Sequence, residues 1–180
     1  MGARRLVSLL VLASSAIFAS AGCVVENDEE VDVAGDGDMQ GDALVAERQL
    51  NGSELPDKTI SLTFDDGPGL RSAELADYLA SKGVKATFFI NGSKVAGRQA
   101  AIDTIVGRGH LLANHTHHHK QLTKLSAANI VKEITDTDAI ISAVQPDGPW
   151  VIRAPFGAWN GAVARAVNAS PMRKYIGSVF

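Results

Sequence analysis

From residue 58 onward the chain alternates short β-branched or aromatic runs with longer segments whose apolar residues share one helical face. Residues 59–64 are β-branched and aromatic and predict a first strand, stopped by Asp65-Asp66-Gly67-Pro68. Residues 72–82 predict a helix with Leu75, Ala76 and Leu79 on one side and Gly83 as its stop. A second strand follows over 84–90, closed by Asn91-Gly92, then a helix over 95–106 through Ile102, Ile105 and Val106. Residues 110–114 predict a short third strand that runs into a cluster of histidines. Ser126 is placed to cap a third helix with Ile130, Val131, Ile134 and Ile141 on its apolar stripe. Residues 150–153, 161–168 and 175–180 complete the pattern as strand, helix and strand. Strict alternation of this kind predicts a parallel sheet with helical crossovers.

These elements occupy 123 residues, enough for one modest domain with its own core. A complete (β/α) barrel usually needs about 200 residues or more, so the segment 58–180 is too short for one. The first 57 residues differ in kind. Arg4 and Arg5 precede an uncharged stretch, 6–21, which is too short for a membrane span of about 20 residues and predicts an export signal over 1–22. Two processing routes fit. Ala19-Ser20-Ala21 suits ordinary signal peptidase, whereas Ser20-Ala21-Gly22-Cys23 resembles a lipobox, in which Cys23 is lipidated and anchors the protein to the membrane. The position of the chain's only cysteine favours the second. Residues 23–57 predict a disordered acidic linker, with eleven acids against Arg48 and no sustained hydrophobic period.

The whole chain carries 17 Lys+Arg against 20 Asp+Glu. It has no polybasic tract, so nucleic acid is not an expected partner. A single cysteine also excludes a disulfide framework or a Cys-rich zinc site.

Three clusters each follow the C-terminal end of a predicted strand, the face where parallel α/β architectures assemble active sites. They are Asp65-Asp66, His115-Thr116-His117-His118-His119, and Arg153-Ala154-Pro155-Phe156-Gly157. Singly, each has a plain reading: turn carboxylates, an adventitious metal binder, a structural ion-pair partner. Together they predict a divalent metal site, since zinc favours His nitrogen with a carboxylate and leaves positions open.

Thr63-Phe64-Asp65-Asp66-Gly67-Pro68 resembles the first motif of the polysaccharide deacetylase family with the NodB homology domain, carbohydrate esterase family 4. The histidine cluster is similar to its His-Ser/Thr-x-x-His motif, and Arg153-Ala154-Pro155-Phe156 to its Arg-x-Pro-Tyr/Phe motif. The run Lys85-Ala86-Thr87-Phe88-Phe89-Ile90 looks like the segment between the first two.

The resemblance implies a distorted (β/α) barrel, here incomplete with about five β/α units over 58–180. It implies Asp66, His115 and His119 as ligands of a divalent metal, zinc by preference, with His117 and His118 as variable positions. Asp65 would be the general base, Arg153 its orienting partner, and the Phe156 N–H an oxyanion donor. The implied reaction removes N-acetyl, less often O-acetyl, groups from a surface polysaccharide in the bacterial cell envelope. The family's later motifs, an Asp with Trp and then Leu-x-His, have no counterpart in these 180 residues. No histidine follows His119 to act as general acid, and Trp159 has no Asp-x-x-Asp before it. An inactive, truncated relative that keeps metal or glycan binding is therefore the alternative expectation. A merely His-rich periplasmic metal binder leaves Asp65-Asp66 and Arg153 unexplained.

Overall fold

The computed structural model describes Gly52 and residues 55–179. The predicted signal 1–22, Cys23 and most of the linker 23–57 lie outside the described residues. Five strands, β1 (Thr63–Gly67), β2 (Thr87–Ile90), β3 (Leu111–Asn114), β4 (Val151–Ile152) and β5 (Ile176–Ser178), form one sheet. Every pairing is parallel, and the strands lie side by side in chain order. Four helices connect them: α1 (Ser72–Ser81), α2 (Gln99–Gly107), α3 (Ala127–Val144) and α4 (Gly161–Asn168). A doubly wound sheet reverses its strand order at a switch point. This one never does, which makes it an arc of a (β/α) barrel wall.

The helices form because the sheet gives their apolar faces somewhere to go. Isolated helices under about 12–15 residues are marginal in water, so ten-residue α1 depends on burying Ala76 and Leu79. Gly83, at φ +69°, ends it by donating to the Ala80 carbonyl while Val84 N–H donates to Leu79. Phe88, Ile90, Ile102, Ile105 and Leu112 build one half of the core. Ile130, Ile134, Ile152, Val163, Val167 and Tyr175 build the other. Each fully buried aliphatic side chain contributes roughly 1.5–3 kcal/mol, so a handful suffices to dock each helix. Ser126 Oγ accepts the Asn129 N–H at 3.4 Å and caps α3, as its position in the sequence predicts.

Several details differ from the sequence pattern, β2 and β4 being shorter than 84–90 and 150–153 among them. β1 begins at Thr63 rather than 59, because β2 offers paired residues only from Thr87, and Ile60 is left 89% exposed. Asp65 and Asp66 thus lie inside the strand instead of in a turn beyond it. Phe64 pairs with Phe88 but Gly67 with Ile90, so β1 holds one extra residue there, a bulge at the sheet edge. α2 starts at Gln99, not 95, because Gly97 takes φ +74° and the preceding Gly92–Lys94 forms a single 3₁₀ turn. On α3, Val131 is only half-buried, whereas Glu133, Thr137 and Asp138 share the buried stripe. β5 is shorter than 175–180 and starts after Tyr175, whose ring belongs to the core. Among the described residues, no helix is long and apolar enough to cross a membrane.

Candidate metal centre and active site

The carboxyl ends of β1, β3 and β4 bring the three clusters to one place, as the topology requires. Asp66 at the bulge, His115 directly after β3, and His119 four residues on each present one ligand atom, all within 4.8 Å of one another. Asp66 Oδ1 lies 3.3 Å from His119 Nε2 and 3.9 Å from His115 Nε2. Ligands on a tetrahedral zinc with bonds of about 2.0–2.2 Å sit about 3.3 Å apart, so only a small closure is needed.

The protons decide what fits between these atoms. His115 is buried and its Nδ1 is 2.7 Å from the Arg153 carbonyl, which can only accept, so Nδ1 carries the hydrogen. Burial pushes the imidazole below the ordinary histidine range, against the opposing pull of that carbonyl and of Asp65. A neutral ring with Nδ1–H leaves a lone pair on Nε2, facing the lone pairs of Asp66 Oδ1. Two acceptors turned toward each other call for a cation. A backbone carbonyl that fixes the tautomer is also the usual support of a metal-binding histidine.

Arg153 ties this centre to Asp65. Its Nη1 donates to Asp65 Oδ1 at 2.7 Å and to Thr63 Oγ1 at 3.0 Å, while Nε donates to the Val179 carbonyl at 3.2 Å. The guanidinium also sits 4.2 Å from the Phe89 ring centroid. Held on four sides, it fixes the orientation of Asp65 by a charge-assisted hydrogen bond. Its own carbonyl meanwhile holds His115. Phe156 packs its ring edge-on against His119, with centroids 4.7 Å apart, and is otherwise 71% exposed. Its N–H donates to no backbone carbonyl among the described residues. Asp66, Thr116, His119 and Phe156 all take φ between 57° and 65°. Left-handed backbone at non-glycine residues costs about 1–3 kcal/mol each, and such strain gathers at functional sites. A cavity of about 530 Å³ opens over Asp65, Asp66, His115, His119, Arg153 and Phe156.

His117 and His118 turn away from this centre. Gly92 leaves room for His117 Nδ1, since a Cβ there would press on that atom and lie 2.6 Å from Thr137 Oγ1. His118 Nδ1 lies 3.0 Å from Glu133 Oε1, and its backbone N–H donates to Glu133 Oε2 at 2.7 Å. Burial pushes the Glu133 carboxyl up, but those bonds and the Lys120 ammonium outweigh it and hold it below the usual range. Behind β3, Asn114 donates to the Ile134 carbonyl and to Tyr175 Oη, and accepts the Thr116 N–H at 2.9 Å. Tyr175 in turn donates to Asp138, which pairs with Lys174 at 2.8 Å. Burial drives the Tyr175 phenol far upward, so it serves there as a neutral donor.

The sequence reading passed over Glu133, Asn114 and Lys94, whose ammonium donates to the Asp66 carbonyl at 2.9 Å. Glu133 did leave a signal, because helical spacing puts a charge on the stripe of Ile130, Ile134 and Ile141. Lys94 left none.

A family model for polysaccharide deacetylase matches residues 52–175. The chain belongs to the polysaccharide deacetylase family. It is 37% identical to a chitooligosaccharide deacetylase of Rhizobium leguminosarum bv. trifolii, over 73% of this chain and 62% of that one. A peptidoglycan deacetylase structure from Bacillus subtilis superposes with a TM-score of 0.56 at 28% identity, over 75% of this chain and 59% of that one. A family 4 carbohydrate esterase from Streptomyces lividans, in complex with acetate, gives 0.58 at 30% identity, over 66% and 60%. This member of the family thus spans less than two thirds of each of these relatives.

Proposed function

We propose that the chain carries the catalytic half-site of a metal-dependent deacetylase acting on an N-acetylated surface polysaccharide. One observation carries this reading: the neutral, carbonyl-anchored His115 turns a lone pair toward Asp66 and His119, beside an Asp65 fixed by Arg153. Relatives named for chitooligosaccharide and peptidoglycan deacetylation support the substrate class. Zinc is the ion that the two imidazoles and one carboxylate suit best.

Asp66, His115 and His119 would hold the ion, which supplies Lewis-acid polarisation of the acetyl carbonyl and eases deprotonation of water. The chain's own residues do the rest. Asp65, through the oxygen not engaged by Arg153, takes a proton from the attacking water. Arg153 keeps that carboxylate from rotating away. The Phe156 N–H, presented by its left-handed backbone, donates to the carbonyl oxygen as negative charge builds there. Water adds to the acetyl carbon with loss of a proton to Asp65. The C–N bond breaks as the nitrogen takes up a proton, which with these residues alone comes from Asp65 or solvent, so that acetate and a free amine leave.

The test is acetate release from acetylated glucosamine oligomers and from an aryl acetate, wild type against Asp65→Asn. Removal of a positioned base should lower the metal-dependent rate by about 10²–10⁴-fold on either substrate. Equal rates for the two proteins, or rates indifferent to zinc, would dismiss the reading. A second reading, an inactive relative that keeps metal or glycan binding, draws on the lack of any histidine after His119 in these residues. It predicts metal uptake with no acetate released from either substrate.

We further propose that the protein is exported and lipid-anchored through Cys23. Cys23→Ser should then move it from the membrane fraction to the soluble exported fraction of the producing bacterium. A soluble wild-type protein beginning at Gly22 would instead establish ordinary signal-peptidase cleavage.

A further inference from the structure

We infer that Glu133 is a positioning residue for the metal ligand His119, acting through the backbone of the loop that carries it. Glu133 lies on α3, is 5% exposed, and stands on a stripe otherwise made for apolar packing. Its side-chain hydrogen bonds reach outside the helix. Oε2 accepts the N–H of His118, Oε1 lies 3.0 Å from that residue's Nδ1, and its backbone carbonyl accepts the N–H of His117 at 2.9 Å. Two successive loop N–H groups are thus gathered onto one residue. Thr116 and His119, at φ 65° and 57°, bracket that pair. The side-chain carboxylate meets the His118 N–H and the main-chain carbonyl meets the His117 N–H, so one residue of α3 holds both donors.

The consequence falls on His119. His115 leaves a strand and has its carbonyl held by Asn91 Nδ2 at 2.7 Å, so the sheet fixes its place. His119 has no strand beneath it. Its backbone follows from the turn at 116–118, whose first half is tied to Asn114 and to the Gly92 and Ser93 N–H groups and whose His118 end is held by Glu133. Without the carboxylate, the half-exposed His118 can turn its N–H to water. The loop then stays satisfied but no longer holds His119 Nε2 at 3.3 Å from Asp66. Residues that orient metal ligands from outside the coordination shell typically affect affinity by about 10–100-fold.

This inference rests on the metal-site reading, and the experiment separates the two. Zinc affinity is measured by competition with a chelating dye for wild type, Glu133→Met, Glu133→Gln and His118→Ala, alongside the melting temperature of each metal-free protein. Methionine fills the volume without an acceptor, whereas glutamine keeps one oxygen for the His118 N–H. Glu133→Met should bind zinc about 10–100-fold more weakly. Glu133→Gln and His118→Ala should stay within about threefold of wild type, because the backbone bond survives in both. The metal-free melting temperature of Glu133→Met should stay within about 4 °C of wild type. If wild type takes up no zinc, the metal-site reading itself fails. If wild type binds and Glu133→Met binds equally, only the inference about Glu133 fails. Equal weakening by Met and Gln would overturn it too, since the effect would follow charge rather than the hydrogen bond. A Glu133→Met protein unfolded without metal would make Glu133 a determinant of the fold, which also counts against it.

Discussion

His115→Ala and His119→Ala proteins are expected to come through dialysis against chelator-treated buffer nearly free of zinc, whereas His117→Ala and His118→Ala retain about one ion per chain. The contrast among four histidines within five residues follows from where each ring points. His115 and His119 bring Nε2 to Asp66 Oδ1 at 3.9 and 3.3 Å. His117 lies against Gly92, and His118 faces Glu133, so neither contributes a ligand atom. Loss of one of three protein ligands should exceed the roughly 10–100-fold effect of outer-shell changes. Metal content by mass spectrometry and affinity by calorimetry give the comparison. Zinc content that followed His117 or His118 would overturn the ligand assignment.

Sequence periodicity disclosed these relations unevenly. Alternating strands and helices, the Ser126 cap and the Gly83 stop were legible, because each depends on neighbours a few residues away. So were the three clusters, since parallel topology sends every strand's C-terminal end to the same face. The edges of β1 were not legible. Residues 59–62 have strand propensity, but pairing with β2 from Thr87 onward decides where the strand begins. Nor could spacing reveal that a single Arg153 serves both His115, by its carbonyl, and Asp65, by its guanidinium. That link spans 88 residues between Asp65 and Arg153 and exists only once β1 and β4 share a sheet. Glu133 sits between these cases: its place on the stripe was readable, its partners were not.

A kinetic effect as large as that of losing Asp65 is expected at the leaving group. Water activation needs Asp65 and a bound ion, and the residues for both stand together at the carboxyl end of the sheet. Expulsion of an amine from the tetrahedral intermediate needs a proton, and these 180 residues hold no histidine beyond His119 to deliver it. Positioned general acids contribute about 10²–10⁴-fold, so a zinc-loaded polypeptide of these residues should release acetate from N-acetylglucosamine oligomers slower by that factor. The reference is the same chain extended to carry the family's Asp, Trp and Leu-x-His segments. An aryl acetate should show far less difference between the two polypeptides, because a phenolate leaves without being protonated. The ratio of the two substrates' rates therefore isolates the acid from the base and the metal, which act on both. Matching N-deacetylase rates from the short and extended chains would refute the argument. The proton would then have to come from another donor, and the Lys94 ammonium, 3.8 Å from Asp66 Oδ1, already stands beside the site.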